Sequence, residues 1–254
     1  MFATYETLKA KKGMAWLIAL AALMALIAIG LAVAFVINSA SELHSFAAQD
    51  DKEAIEAASS SKPTVTNATT QVINLAGLMS LSAEDAGQKI GHGAAVQDEA
   101  PMSSVGFTNE ETVVLTDEKG DALSGTPTVT LGFDGNGTVA AASYSAPTSL
   151  LGYGNLSFSD AVEEFHIVEN LLGKVGLSGV EEGSVTLPDR KEYSSYGPDR
   201  KTLTSETYTF SGSAQSGDLP CSWTVTLTYD YDEANSTGNL ANTVKKVAVS
   251  IMRE

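Results

Sequence analysis

Thr128-Val-Thr-Leu-Gly-Phe-Asp134 recurs 96 residues later as Thr224-Val-Thr-Leu-Thr-Tyr-Asp230, identical at five of seven positions and with Phe exchanged for Tyr at a sixth. Both stretches alternate apolar and hydroxyl side chains, the period-2 pattern of a strand with one buried and one wet face. A second echo follows each of them. Thr138-Val139 matches Thr243-Val244 at an offset of 105, the increase coming from a longer second loop, Asp232 to Leu240. The first loop, Asp134-Gly-Asn-Gly137, is a strong hairpin signal, because tight hairpin turns need residues that accept positive φ. Upstream, Ile90-Gly91 pairs with Leu172-Gly173 at an offset of 82, each closing a stretch with helical spacing. The pattern predicts an internal duplication of an αβββ unit.

Working outward, Ser82-Ala-Glu-Asp85 reads as a capping box opening a helix that ends at Ile90. Strand patterns follow at Thr112 to Thr116, Thr128 to Phe133 and Thr138 to Tyr144. The second round opens with Ser159 as N-cap of a helix to Leu172, its buried face formed by Val162, Phe165, Val168, Leu172 and Val175. Strands are then expected at Ser184 to Leu187, Glu206 to Ser211, Cys221 to Tyr231 and Thr243 to Met252. The predicted class is α+β with antiparallel sheets, divided into a first repeat at 69–150 and a second at 151–254.

In front of these repeats lies a different kind of sequence. Residues 13–37 are 25 consecutive residues without a charge, long enough as a helix to cross a hydrocarbon core of about 30 Å. Lys9, Lys11 and Lys12 precede this run and Glu42, Asp50, Asp51, Glu53 and Glu56 follow it, so the positive-inside rule puts residues 1–12 in the cytoplasm. The expected location is a plasma membrane crossed once by residues 13–37, in a cell of bacterial character, with the lipid bilayer as a partner. A cleaved signal peptide is the rival, with small-residue sites near Ala40 and Ala47. Its apolar region would normally span only about 7 to 15 residues. Residues 38–68, rich in Ala, Ser and acidic side chains, read as a stalk, within which Pro63 ends any helix.

The whole chain of 254 residues carries a net charge of −16, and the basic tail makes the part beyond the membrane more acidic still. Such a field disfavours nucleic acid as a partner. The single cysteine, Cys221, excludes an intrachain disulfide and sits at the start of an apolar strand pattern, where a buried structural thiol is expected.

Catalytic signatures are sparse. The histidines are His44, His92 and His166, and there is no Gly-x-Ser-x-Gly elbow. Glu163 and His166 stand one helical turn apart without a second metal-binding pair, and Asp230-Tyr-Asp232-Glu-Ala-Asn235 lacks the glycine and terminal Glu of a calcium loop. No catalytic residue, metal or cofactor is therefore predicted. One segment suggests recognition instead. Pro188-Asp-Arg-Lys191 is echoed by Pro198-Asp-Arg-Lys201 around two tyrosines, placing Arg190, Lys191, Tyr193, Tyr196, Arg200 and Lys201 in one loop on an acidic domain. Arg and Tyr are typical interface anchors, so these six residues form a candidate interaction patch for a protein partner. The competing expectation for the loop is a hairpin extension.

Met79-Ser80, Ala86 and Ile90-Gly91-His-Gly93, followed by strands, resemble the helix-glycine-hairpin unit of the tandem-repeat β-lactamase inhibitor proteins and the related small outer-membrane assembly lipoproteins. The resemblance implies αββ units used as non-enzymatic protein-binding sheets. It covers about half of each repeat, and the chain departs from those families in lacking a lipid-anchoring cysteine and the inhibitors' disulfides. The expected function is an envelope protein-binding module. The alternative is a structural or sensory ectodomain of a membrane assembly.

Overall fold

The computed structural model describes residues 63–91, 93–100, 107–117 and 119–254. The apolar run at 13–37, the cytoplasmic tail, nearly all of the stalk and His92 lie outside these residues. Among the described residues, no helix is long and apolar enough to cross a membrane.

Eight strands form one antiparallel sheet: β1 (Gly93–Ala100), β2 (Asn109–Leu115), β3 (Thr128–Phe133), β4 (Val139–Pro147), β5 (Ser194–Tyr196), β6 (Leu203–Ser216), β7 (Leu219–Asp230) and β8 (Val244–Arg253). Their order across the sheet is β1-β2-β3-β4-β8-β7-β6-β5, two four-stranded meanders joined along β4 and β8. The protein is thus α+β with an antiparallel sheet, as the alternation of hydroxyl and apolar residues predicts. The register at the join is informative. Tyr144 lies opposite Val249, and 105 residues, the offset of the Thr138-Val139 echo, separate these two positions. The ladder runs equally far to either side of this pair, from Ala141 opposite Met252 to Pro147 opposite Lys246.

The inner face of the sheet carries Val129, Leu131, Phe133, Tyr144, Val225, Leu227, Tyr229, Val247, Val249 and Ile251, all almost completely buried. They pack in one cluster with three helices' worth of cover. Helix α1 (Ala83–Ile90) is capped as expected: Ser82 Oγ accepts the Asp85 amide at 3.1 Å and donates to the Asp85 carboxylate at 2.8 Å. Helix α2 (Ile167–Lys174) contributes Ile167, Val168, Leu171 and Leu172, and a π-helical turn at Asp160–Glu164 adds Ala161 and Val162. Helix α3 (Asp232–Thr237) lies in the β7–β8 connection and accounts for the longer second loop.

Several expectations change. The first half has four strands after its helix instead of three, with β1 added. The single helix predicted from Ser159 to Leu172 is broken at His166, whose φ is +48°. The break lets both the π turn and α2 bury apolar residues, which one straight helix would place on diverging faces. Ser159 makes no cap hydrogen bond; Ser157 Oγ accepts the Asp160 amide at 3.1 Å instead. Ser184 to Leu187 is not a strand. Val185 and Leu187 pack on the core, and the Val185 amide donates to the buried carboxylate of Glu169 at 3.0 Å, so the segment is fixed to α2 rather than to a neighbouring strand. Cys221 is fully buried in β7, and burial raises its thiol pKa.

Two local features test this packing. A Cβ on Gly212 of β6 would lie 2.6 Å from Trp223 Cζ2, and Trp223 is itself buried, so neither can give way easily. Gly212→Ala should lower unfolding free energy by about 1–3 kcal/mol in urea titration. At the first hairpin, Asp134 accepts the Thr138 amide and hydroxyl at 3.0 Å each, the Asn136 amide at 2.9 Å, and Arg253 Nη2 at 3.0 Å. The Thr138 amide, followed by these other donors, holds the carboxyl down at about 2, below its ordinary 3.8. A depressed folded pKa means stability that is complete above the unfolded value and lost on acidification. The melting temperature should therefore fall between about pH 4 and pH 2, and Asp134→Asn should flatten that part of the pH profile.

Candidate interaction surface

The loop from Pro188 to Lys201 does not present its six candidate residues as one patch. Residues 190–192 form a 3₁₀ turn and Ser194–Tyr196 become β5, the short edge strand beside β6. Tyr193 turns inward, stacking on the buried Phe158 ring with centroids 5.0 Å apart, and Phe158 meets Tyr229 edge-on at 5.4 Å. Burial, chiefly, raises the Tyr193 pKa. Arg190 is also engaged. Its guanidinium lies 3.6 Å from Glu206, a β6 carboxylate only 6% exposed, which further accepts the Tyr231 hydroxyl at 2.5 Å and the Ser194 hydroxyl at 3.4 Å. Burial and the Glu206 hydrogen bond push the Tyr231 phenol upward. Glu206 is thus the pin that closes β5 and the 3₁₀ turn onto β6.

The other four candidates face outward. Lys191 pairs with Asp189 at 2.9 Å, Tyr196 is exposed, and Arg200 and Lys201 sit in an exposed turn where Asp199 accepts the Lys201 and Thr202 amides at 2.9 Å. The Thr202 hydroxyl and these amides hold the Asp199 carboxyl at about 2. The loop therefore divides into an inward half that fastens the edge of the sheet and an outward tip of Tyr196, Arg200 and Lys201.

A larger surface escaped notice because its residues are far apart in sequence. On the face of the sheet opposite the core, Ser211 of β6, Thr224 of β7, Ser250 of β8, Ser143 of β4, Thr130 of β3 and Thr112 of β2 stand successively opposite one another. Hydroxyl side chains thus cross six adjacent strands in one row, exposed at Ser211, half-buried at Thr224, Ser250, Ser143 and Thr112, and buried at Thr130. The next row is Thr209, Thr226, Ala248, Ser145, Thr128 and Val114. Neither row contains a charge, although the chain totals −16. Thr112 and Thr130 share a hydrogen bond at 3.0 Å, as do Thr209 and Thr226 at 2.9 Å. Charged groups stand at the margins of this face: Glu110, Asp230 and Lys246. Burial raises the Glu110 pKa and lowers that of Lys246. The signal was present in the alternate Thr and Ser positions of each strand, but the row exists only once the strand order is known.

His166 places Nε2 3.6 Å from the Glu182 carboxylate while Nδ1 is buried without a partner, and Glu163 does not share its surroundings as a helical neighbour, because the helix breaks between them. Asp230 accepts the Asp232 amide at 2.9 Å, so the calcium-like run begins α3 instead of encircling an ion. Among the described residues, no three His, Cys, Asp or Glu side chains are grouped to hold a metal.

No protein-family model matches the chain, and neither does any curated protein sequence or solved structure.

Removing the Glu206 pin should open the edge. Glu206→Ala leaves the Tyr231 hydroxyl and Arg190 without their acceptor, a loss of about 1–3 kcal/mol for a buried polar network. Trypsin cleavage after Arg190 and Lys191 should then accelerate about tenfold or more while cleavage after Lys245 and Lys246 in β8 stays slow, as read by mass spectrometry of timed digests.

Proposed function

We propose that this protein is a membrane-anchored extracytoplasmic module whose outward sheet face docks another protein without catalysing a reaction. The observation that carries this proposal is the solvent-reached part of the uncharged hydroxyl row, Ser211, Thr224, Ser250 and Ser143. Short side chains on a continuous sheet let a partner approach the backbone closely, with little rotamer entropy to lose and no unpaired charge to desolvate. The tip residues Tyr196, Arg200 and Lys201 add an aromatic and cationic rim at the β5 end, in a loop whose sequence makes it a candidate for recognition.

The uncharged run at 13–37 supports a single-pass anchor in the plasma membrane with the N-terminus in the cytoplasm, and the net charge of −16 supports partners other than nucleic acid. Duplication of one αββββ unit is supported by the paired motifs at Thr128 and Thr224 and by the register that sets Tyr144 against Val249. The similarity around Met79-Ser80 and Ile90-Gly91 to tandem-repeat inhibitor proteins favours the same use of a sheet as a docking platform. No cofactor enters this function.

A photoreactive amino acid placed at Thr224 in the full chain, in its native membrane, tests the proposal. It should crosslink to a different polypeptide, whereas the same group at Asn136, at the β3–β4 turn, should not. Thr226→Lys should reduce the Thr224 adduct at least tenfold without changing the melting profile by more than a few degrees. Equal labelling from Thr224 and Asn136, or labelling of lipid alone, would sink it.

A further inference from the structure

The outer edge of β6 is open between two brackets. At one end the Thr207 amide donates to the Tyr193 carbonyl at 2.7 Å; at the other, Ser178 and Gln215 exchange amide-carbonyl hydrogen bonds of 2.9 and 3.4 Å. The ladder with β7 runs from Ser205 to Ser216 without a shift, so the backbone alternates strictly along this length. Thr209, Ser211 and Ser213 therefore share the orientation of Thr207 and Gln215, and their amides and carbonyls point away from β7. Among the described residues nothing pairs with them, because β5 ends its ladder at Ser194 opposite Glu206. All three are exposed. From Thr207 to Gly217 there is neither a charge nor a proline, the devices that usually keep an edge strand from pairing.

We propose that this window binds a short extended peptide as an added strand, with a cationic residue of the peptide at the Gln215 end. Length argues for a peptide over a second copy of the chain. Tyr193 and Ser178 occupy the neighbouring-strand position opposite Thr207 and Gln215, which leaves room for about five residues, or about 17 Å. A second β6 is 14 residues long and carries the same two brackets on its own edge. Charge sets the polarity. Glu254 Oε1 accepts the Ser213 hydroxyl at 3.0 Å, Asp218 lies in the β6–β7 turn, and Glu181 and Glu182 follow Ser178 closely in the chain. All four acidic residues are exposed, whereas at the opposite end Arg190 and Lys191 already face Glu206 and Asp189. Main-chain hydrogen bonds would supply affinity, and the acidic end would orient the peptide.

This site borders the proposed docking face and shares Thr209 and Ser211 with it; it uses their outward backbone groups, whereas that proposal uses the side chains of the face. The full chain in nanodiscs is panned against a displayed library of random heptapeptides, in parallel with Ser211→Pro. Proline here removes an outward amide and no β7 hydrogen bond, so the sheet should tolerate it. Enriched peptides should carry Lys or Arg toward one terminus, bind Ser211→Pro at least tenfold more weakly, and lose severalfold affinity on Glu254→Gln combined with Asp218→Asn. Synthetic copies should slow hydrogen exchange at the Thr209, Ser211 and Ser213 amides at least tenfold while leaving Phe210 and Gly212 little changed. This exchange pattern decides the question alone if Ser211→Pro does not fold. Absence of enrichment over Ser211→Pro, or peptides that bind without protecting those three amides, overturns the proposal. A Thr224 crosslink with no response at β6 would remove the edge site and leave the docking face, and the reverse result would do the opposite.

Discussion

Everything in this fold depends on the seam between β4 and β8. Seven residue pairs, from Ala141 opposite Met252 to Pro147 opposite Lys246, convert two four-stranded meanders into one sheet. Without it, each meander would present an unpaired inner strand to water and could cover only half of the shared core. The side chains at the seam show why it closes. On its inner face β4 offers Ala142, Tyr144 and Ala146 to Val247, Val249 and Ile251 of β8, so one large ring flanked by small residues meets a row of branched ones. Tyr144 is fully buried and its phenol is pushed up to about 12, chiefly by burial. Because the register is centred on Tyr144 opposite Val249, with three pairs to either side, the seam has the arrangement of a two-fold interface drawn inside a single chain.

Buried polar groups then fasten the cover to the sheet. Lys245 runs beneath the sheet so that its ammonium donates to the Gly154 and Leu156 carbonyls at 2.8 Å each and sits 5.0 Å from the Tyr229 ring centre. It holds the connection between the halves against the core, and burial lowers its pKa. Arg253 performs a similar service at the opposite end of β8. Its guanidinium reaches Ser80 at 2.8 Å and Asp134 at 3.0 Å, joining the last strand to the first hairpin and to the segment before α1. With only one cysteine in the chain, such contacts do the linking that disulfides provide in other small domains.

The sequence revealed local structure better than placement. Alternation identified β3, β4, β7 and β8, and the Ser82 cap and Asp134 turn were legible because their chemistry is local to four or five residues. The break at His166 was not, since its justification lies in what Ile167 and Val162 each find to pack against. The strand expected at Ser184 to Leu187 has the right composition, but a buried Glu169 on another element claims the Val185 amide. Of the six loop residues chosen for recognition, Tyr193 is drawn inward by Phe158 and Arg190, though exposed, is engaged by Glu206, partners 13 or more residues away in the chain. The hydroxyl row escaped for the same reason. Six ordinary Ser and Thr residues on six strands acquire meaning only through register.

The attachment of the segment that leads into the domain has a mechanical consequence. The Thr66 and Thr69 amides donate to the Gly152 and Leu150 carbonyls at 2.9 and 2.8 Å, and a Cβ at Gly152 would come within 2.3 Å of the Thr66 carbonyl oxygen. Tension applied ahead of Pro63 is therefore delivered to the connection between the two halves and not to a free margin of the sheet. The first bonds to carry load are those two. Strands β5 and β6, at the far margin, stay off the load path, so a pull that strains the joint leaves them undisturbed.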